Sequence, residues 1–350
     1  MFTPADHIFM QRAICLAALG GKAVRPNPLV GALLVYNNTI IGEGFHKQYG
    51  AAHAEVNAID SVQDKTLIPD STLYVTLEPC NHFGKTPPCT ELIIKRNIKK
   101  VVVATKDPNP LVSGKGIQRL EAAGVNVSVG LCAGEAEWQN RRFFCAHRRK
   151  RPYIILKWAQ SANGFMASER KSPIWISNVY SRKWVHKWRS EEDAIMVGPG
   201  TLLHDNPQLT TRDWPGAHPV RVSYSLQSTD IFSKPLHFFD KSTTSLFYST
   251  EQINTANCHV IQLNGQHFFK DMFEHLLTQG IQSVLVEGGV GLLHTLITQN
   301  LWDEARIFVG NVMLKNGIAA PAIYGQLEEK LEIAGDTLRI LSNNNSYSDD

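Results

Sequence analysis

Thr76 to Cys89 reads TLEPCNHFGKTPPC, and the fold of the first half of the chain turns on how this stretch is read. Cys80 and Cys89 enclose eight residues, among them a histidine, a lysine and a diproline. Such a pair can be a disulfide, a metal site, or a turn that happens to contain thiols. The flanks say where it lies: STLYVTLE before it reads as a strand, and CTELIIKRN from the second cysteine onward reads as a helix.

The same alternation continues outward. Thr3-Pro4 reads as an N-cap and first helical position, with Gly20-Gly21 ending that helix. LVGALLVYNNTIIGEGFH reads as two short strands about an Asn37-Asn38 turn, and HAEVNAIDSV as a helix. KVVVAT, GKGIQRLEAAG and VNVSVG follow as strand, helix and strand. Strands alternating with helices predict an α/β layer architecture with a mainly parallel sheet, expected over residues 1–145. The basic run HRRKRPY, His147 to Tyr153, reads as a solvated connection, with the linker at 146–152. A second α/β pattern then occupies 153–345, from strand YIILKWAQS through helix FKDMFEHLLTQG to strand EARIFVG. The polar end SNNNSYSDD is expected to fray, with 346–350 as a tail.

Bulk properties agree with two domains, since 350 residues exceed what one ordinary core covers. A hydrophobic content of 43% with 19% charged residues describes a globular chain, and a net charge of +3 is too small to argue for a nucleic-acid partner. MFTPADHIFMQRAICLAALGG has Asp6 where a signal peptide would be basic, and its apolar residues recur at helical spacing. A membrane span needs about 18 consecutive apolar residues, and the chain has no such run. The expected location is the cytoplasm, with no membrane partner. Six cysteines, Cys15, Cys80, Cys89, Cys132, Cys145 and Cys258, are thinly spread. In a reducing compartment a close pair points to catalysis or metal before a bridge.

One helix upstream of the quoted stretch stands His53-Ala54-Glu55. An imidazole and two thiolates make three ligands, the number that leaves a catalytic zinc one open position. His82 is the competing fourth ligand, which would close the site and make it structural. An open zinc lowers the pKa of bound water to roughly 7. Glu55, two residues past His53, is placed to shuttle a proton without binding metal. Histidine, any residue, glutamate, then Pro-Cys and a second Cys is the zinc nucleobase-deaminase pattern, although two residues separate the cysteines in the nucleic-acid enzymes.

At this point the sequence is similar to a specific family. PNPLVGALLV, GEGFH, HAEVNAI, YVTLEPCNHFGKTPPC and DPNPLVSGKG, in this order, resemble the deaminase half of the bifunctional riboflavin-biosynthesis deaminase/reductases. The resemblance implies a cytidine-deaminase-like three-layer α/β/α domain acting on a diaminopyrimidinone that carries a ribosylamino 5-phosphate. It implies one Zn2+ held by His53, Cys80 and Cys89, and Glu55 as general acid/base. It implies a substrate pocket lined by Asn27, His46, His82, Lys85, Asp107 and Asn109. Lys85 also makes sense as a point charge for a phosphate.

The second half has no G-x-G-x-x-G; VGPGTLL fails at the third glycine. SVLVEGGVGLLHTLI is a strand entering glycines at the mouth of a helix, where backbone N–H groups can meet a pyrophosphate, though such glycines are commonly a tight turn. KWAQSANG, WIS, DAIMVGPGTLLHDNPQLTTR and VEGG resemble the reductase half of the same family. That implies a dihydrofolate-reductase-like α/β domain using NADPH to reduce the ring-opened ribose to a ribityl chain. Implied NADPH contacts are Ala159, Trp175, Thr201, Asp205 and the turn Gly289, Val290, Gly291, Leu292, Leu293, His294 and Thr295. Implied substrate contacts are Arg189, Leu209, Arg212 and Glu287, the two arginines suiting a phosphate. Asn163 stands where the family commonly has aspartate, and Pro173 where a serine contact is expected. Two other readings are a nucleic-acid deaminase joined to a binding module, and a deaminase joined to a scaffold that has lost hydride transfer. The leading expectation is a bifunctional enzyme with a small phosphorylated pyrimidine as its partner, no nucleic acid, and a homo-oligomer as an open state.

Overall fold

The computed structural model describes residues 2–84, 87–110, 112–168, 174–227, 230–255 and 258–343. The chain divides into two compact units, one ending at Lys150 and one beginning at Arg151. Among the described residues no helix is long and apolar enough to cross a membrane.

The first unit runs α1 (Pro4–Ala18), β1 (Gly31–Tyr36), β2 (Thr39–Phe45), α2 (Ala54–Ser61), β3 (Thr72–Leu77), α3 (Cys89–Lys95), β4 (Lys100–Thr105), α4 (Lys115–Ala122), β5 (Asn126–Val129), α5 (Ala133–Gln139) and α6 (Arg141–Arg149). Thr3 caps α1 by accepting from the Asp6 N–H, and the Asp6 carboxylate returns the bond to the Thr3 N–H. Asn37 and Asn38, both at positive φ, make the two-residue turn of the β1–β2 hairpin. The sheet order is β2-β1-β3-β4-β5. It is mixed rather than mainly parallel: β1 is antiparallel to both β2 and β3, whereas β3, β4 and β5 run parallel. A two-residue turn can only join antiparallel strands, which is why the hairpin edge departs from the expectation.

Alternation along the strands produces three layers. Ala32, Leu34, Leu73, Val75, Val101 and Val103 face α2, α3 and α4 through Ala58, Ile59, Ile93 and Leu120. Leu33, Val35, Tyr74, Val102 and Ala104 face the other way, onto Phe9, Met10 and Ala13 of α1 and Ala136 of α5. Helix α2 lies unusually close to β2. A Cβ on Gly44 would stand 2.2 Å from the Ala58 nitrogen and 2.5 Å from the Ala54 oxygen, so glycine permits the approach.

The second unit runs β6 (Tyr153–Ser161), β7 (Phe165–Ser168), α7 (Val179–Glu191), β8 (Ala194–Met196), α8 (Pro199–Asp205), β9 (Val220–Ser225), β10 (Ser245–Ser249), β11 (His259–Gln262), α9 (Phe268–Thr278), β12 (Ser283–Glu287), α10 (Val290–Thr298), β13 (Glu304–Gly310), β14 (Gly317–Ala319), β15 (Gln326–Ile333) and β16 (Asp336–Ser342). The large sheet has the order β11-β10-β9-β8-β12-β6-β13-β16-β15, parallel from β11 to β13 and antiparallel at the β16 and β15 edge. Ala194, Met196, Val284 and Val286 pack beneath α9 and α10, while Ile195, Val197 and Phe247 face the opposite layer with Leu202 of α8.

Further features depart from expectation. The supposed connection at 146–152 is helical as far as Arg149, and Arg151 is buried with its guanidinium on Asp303 at 2.5 and 2.9 Å. Arginine there is a structural cation of the second unit, because a buried charge must be paired. The hairpin β15–β16 was not expected, and it ties Ser342, the first residue of the supposed polar tail, into the sheet. Asn343 is buried too, donating to the Trp302 carbonyl at 2.9 Å; residues 346–350 lie outside the described residues.

Candidate active sites

In the first unit, His53 is the residue just before α2, and Cys89 opens α3. Cys80 follows β3. The Asn57 side chain pins the start of α2 by donating to the Phe45 carbonyl at 2.8 Å and the Ala52 carbonyl at 3.3 Å. The three donor atoms of His53, Cys80 and Cys89 lie within 4.8 Å of one another. His53 Nδ1 is 3.5 Å from Cys80 Sγ and 3.4 Å from Cys89 Sγ. Tetrahedral zinc bonds of about 2.3 Å to sulfur and 2.0 Å to nitrogen place such atoms about 3.5 Å apart, so the set fits zinc. His82 is exposed and is not part of this group among the described residues, so three ligands stand together without it.

The electrostatics suit a metal. A hydrogen bond from Cys89, with another from His53, holds the Cys80 thiol far below its ordinary range. Cys89 is pushed up by that same bond and by burial. Glu55 is 3% exposed. Burial pushes its carboxyl up to about 7, with the Cys80 charge adding to the rise. A carboxyl in that range accepts and returns a proton near neutral pH.

Around this centre His46 is buried, its ring edge-on to His53 with centroids 5.4 Å apart. His46 Nδ1 lies 3.1 Å from the Ala52 carbonyl, which can only accept, so Nδ1 carries the hydrogen and Nε2 accepts from Asn27 Nδ2 at 3.1 Å. Burial lowers the His46 pKa, favouring that neutral form. Asn140, between α5 and α6, holds the Asn27 loop by pairing its amide with the Leu29 N–H and carbonyl, both at 2.8 Å. On another side Asp107 accepts from the Asn109 N–H at 2.8 Å, and burial raises its carboxyl to about 6.

In the second unit the strands β8, β12 and β6 lie side by side and parallel, and their C-terminal ends form the second site, as expected of open α/β sheets. Glu287, the last residue of β12, receives the Arg189 fork at 2.7 and 2.9 Å and lies 3.6 Å from Lys157 Nζ of β6. Burial alone would raise the Glu287 carboxyl; the Arg189 and Lys157 charges instead hold it at about 2. Beyond Glu287, Gly288 and Gly289 have φ of +96° and +78° and lead into α10. A Cβ on Gly289 would stand 3.3 Å from the Thr201 hydroxyl of α8. Bare backbone, a hydroxyl and the first N–H groups of α10 thus form a cradle that fits a pyrophosphate.

Comparisons with known proteins agree with this geometry. A family model of the cytidine and deoxycytidylate deaminase zinc-binding region matches residues 4–105, and one of the RibD C-terminal domain matches 152–334. A riboflavin biosynthesis protein RibD of Aquifex aeolicus is 37% identical over 340 residues, 95% of this chain and 95% of the relative. The chain belongs to the RibD family. The RibD of Bacillus amyloliquefaciens is 37% identical, covering 92% of this chain and 88% of the relative. Among solved structures, a diaminohydroxyphosphoribosylaminopyrimidine deaminase/5-amino-6-(5-phosphoribosylamino)uracil reductase from Thermotoga maritima has a TM-score of 0.85 at 33% identity, covering 96% of this chain and 98% of that one. RibD of Acinetobacter baumannii has a TM-score of 0.83 at 31% identity, covering 97% and 98%. With those folds the first unit is cytidine-deaminase-like and the second is the dihydrofolate-reductase-like RibD domain.

Within this RibD fold the remaining expected residues divide. Lys85 and Pro173 lie outside the described residues. Leu292 and Leu293 are 3% and 0% exposed in the core, so in the turn 289–295 the backbone of the first residues is what faces outward. His294 is exposed, and the Thr295 hydroxyl donates to the Gly291 carbonyl at 2.8 Å. Leu209, at φ +56°, is also a core residue, whereas Arg212 and Asp205 are exposed. Trp175 is 73% exposed beneath the Arg182 guanidinium, and Ala159 is half-buried on β6. Arg189 does not present a vacant fork: Glu287 takes it, with the Thr210 carbonyl 3.1 Å from NH1. Asn163 Nδ2 donates to the Leu314 carbonyl at 2.6 Å while its Oδ1 accepts from the Leu314 N–H at 3.2 Å, a pairing that aspartate cannot make. Lys157 was missed; a lysine inside the apolar run YIILKWA was the available signal.

Proposed function

We propose that the two sites act in turn on one phosphorylated pyrimidine, making the chain a bifunctional deaminase and reductase of riboflavin biosynthesis. The first step hydrolyses the amino group of 2,5-diamino-6-(5-phosphoribosylamino)pyrimidin-4-one; the second reduces the ribosyl chain of the product to ribityl with NADPH. The observation that carries this reading is the His53, Cys80 and Cys89 donor set with the buried Glu55 carboxyl beside it.

His53, Cys80 and Cys89 would hold zinc, which would supply the Lewis acidity that activates water. Glu55 takes the proton that the water gives up and delivers it to the departing amine, so that water and the amino compound leave as the carbonyl compound and ammonia. The Asn27 amide, oriented by His46, and the segment from Asp107 to Asn109 grip the pyrimidine. The family resemblance assigns His82 and Lys85 to substrate recognition, with Lys85 suited by its charge to the ribose phosphate. In the second unit NADPH supplies the hydride. Thr201 and the backbone at Gly289 would hold its pyrophosphate, and the family resemblance assigns Ala159, Trp175 and Asp205 to the rest of the cofactor. Glu287 fixes the positions of Arg189 and Lys157, and Arg212 meets the substrate phosphate. The three metal donors all come from one chain. The cytoplasm is the compartment this chemistry suits, since a reducing compartment keeps thiols available to a metal and no disulfide joins the cysteines among the described residues.

The test is a mass-spectrometric time course with the diaminopyrimidinone, with and without NADPH. Deaminated product without NADPH and reduced, deaminated product with it are expected. Zinc-loaded protein that produces neither mass refutes the substrate; deamination with no later reduction refutes the second step.

A further inference from the structure

Glu78 takes no part in the chemistry derived above, yet it is among the best-bonded side chains of the first unit. It lies one residue beyond β3 and two before Cys80, and is 4% exposed. Its Oε1 accepts from the N–H groups of Gly116 at 2.9 Å and Ile117 at 3.3 Å. Its Oε2 accepts from those of Gly114 at 2.9 Å and Asp107 at 3.3 Å. Gly114, the capping residue of α4, has no side chain with which to cap it, so Glu78 from a separate strand supplies that cap. The segment from Asp107 to Gly114 is therefore tied at both ends to one carboxylate. The fit is close: a Cβ on Gly116 would stand 2.1 Å from the Pro79 carbonyl oxygen, so the start of α4 rests against the peptide next to Cys80.

We propose that Glu78 is the positioning residue that holds the Asp107 to Asn109 wall of the deaminase pocket in register with the metal donors. The proposal rests on the reading of the first site as a pyrimidine deaminase. One short segment carries both a metal donor, Cys80, and the anchor of the opposite wall, so metal and substrate contacts are placed by a common piece of backbone. The two carboxyl oxygens of Glu78 accept from all four N–H groups, so one side chain fixes both ends of the segment. A wall anchored in this way is already ordered when substrate arrives. Loosening it lowers the fraction of binding-competent molecules, which raises KM by the reciprocal of that fraction and leaves the turnover of bound substrate unchanged.

The experiment is Glu78→Gln in the full-length, zinc-loaded protein. The amide keeps one acceptor oxygen but turns an NH2 toward two of the four N–H groups. KM for the pyrimidine is expected to rise about tenfold with kcat within about twofold, with zinc content and reduction of the deaminated substrate unchanged. Glu78→Ala, which loses all four bonds, is expected to raise KM further. Hydrogen exchange at the Asp107 and Gly114 amides, which needs no substrate, is expected to speed up in the Gln variant. An unchanged KM, a fall in kcat alone, or equal exchange in both proteins overturns the proposal. If wild-type protein does not deaminate the pyrimidine, the functional reading fails by itself, and the exchange rates still decide whether Glu78 anchors the wall.

Discussion

Glu287→Gln isolates the charge cluster at the end of β12. The glutamine has the shape of the protonated glutamic acid, so the variant measures what ionisation contributes. In the fold the carboxyl sits at about 2 against an ordinary 4.5, a gap of about 2.5 pH units at roughly 1.4 kcal/mol each, or ~3.5 kcal/mol. Removing one member of a buried ion pair costs a similar amount, about 3–5 kcal/mol, because Arg189 and Lys157 would remain buried without the carboxylate they share. Since the folded value lies below the ordinary one, the contribution is complete above about pH 4.5 and is lost as the pH falls toward 2. Urea unfolding followed by tryptophan fluorescence reads the second unit, because six of the seven tryptophans lie beyond Lys150. With a slope of about 2 kcal/mol per molar urea, the midpoint at pH 7 should fall by about 1.7 M. Deamination by the first unit should continue in the native variant. A midpoint within about 0.3 M of wild type at pH 7, or a deficit that does not narrow below pH 4.5, would refute the reasoning.

Glu55→Gln should retain zinc by elemental analysis while losing about 100-fold or more of its deamination rate; substantial activity would remove Glu55 from the proton shuttle. Cys89→Ser should lose zinc, and an unchanged metal content would place the third ligand elsewhere. A chelator strong enough to strip zinc should abolish deamination and spare NADPH-dependent reduction of the deaminated substrate, with loss of both counting against separate sites. Asn163→Asp, although it restores the residue common in the family, should lower the thermal stability of the second unit by about 1 kcal/mol, because the donor to the Leu314 carbonyl is lost. An equally stable variant would show that this bond contributes nothing.

The metal site was legible because ligand identity is a property of residue type. His53, Cys80 and Cys89 have few competing readings once Glu55 stands beside them, and folding only had to bring them within reach. Asn37-Asn38 was legible for a similar reason, since few other residues accept positive φ in succession. β15 was not. QLEEKLEI is rich in helix formers, and what makes it a strand is the edge that β16 offers it. Helices α5 and α6 were missed as well, and with them Asn140, which reaches across 111 positions to Leu29.

The sequence by itself determined the two-domain α/β class and singled out the candidate metal donors and Glu55, because these follow from periodicity and from chemistry carried within short motifs. Tertiary structure alone decided how the remaining charges are used. Arg189 meets Glu287 across 98 positions, Arg151 meets Asp303 across 152, and Glu78 reaches the start of α4 across 38. A charged side chain carries no mark in sequence of the partner that will neutralise it. That partner is chosen when burial removes water and leaves each ion or N–H group needing a counterpart that the packed chain brings within bonding distance.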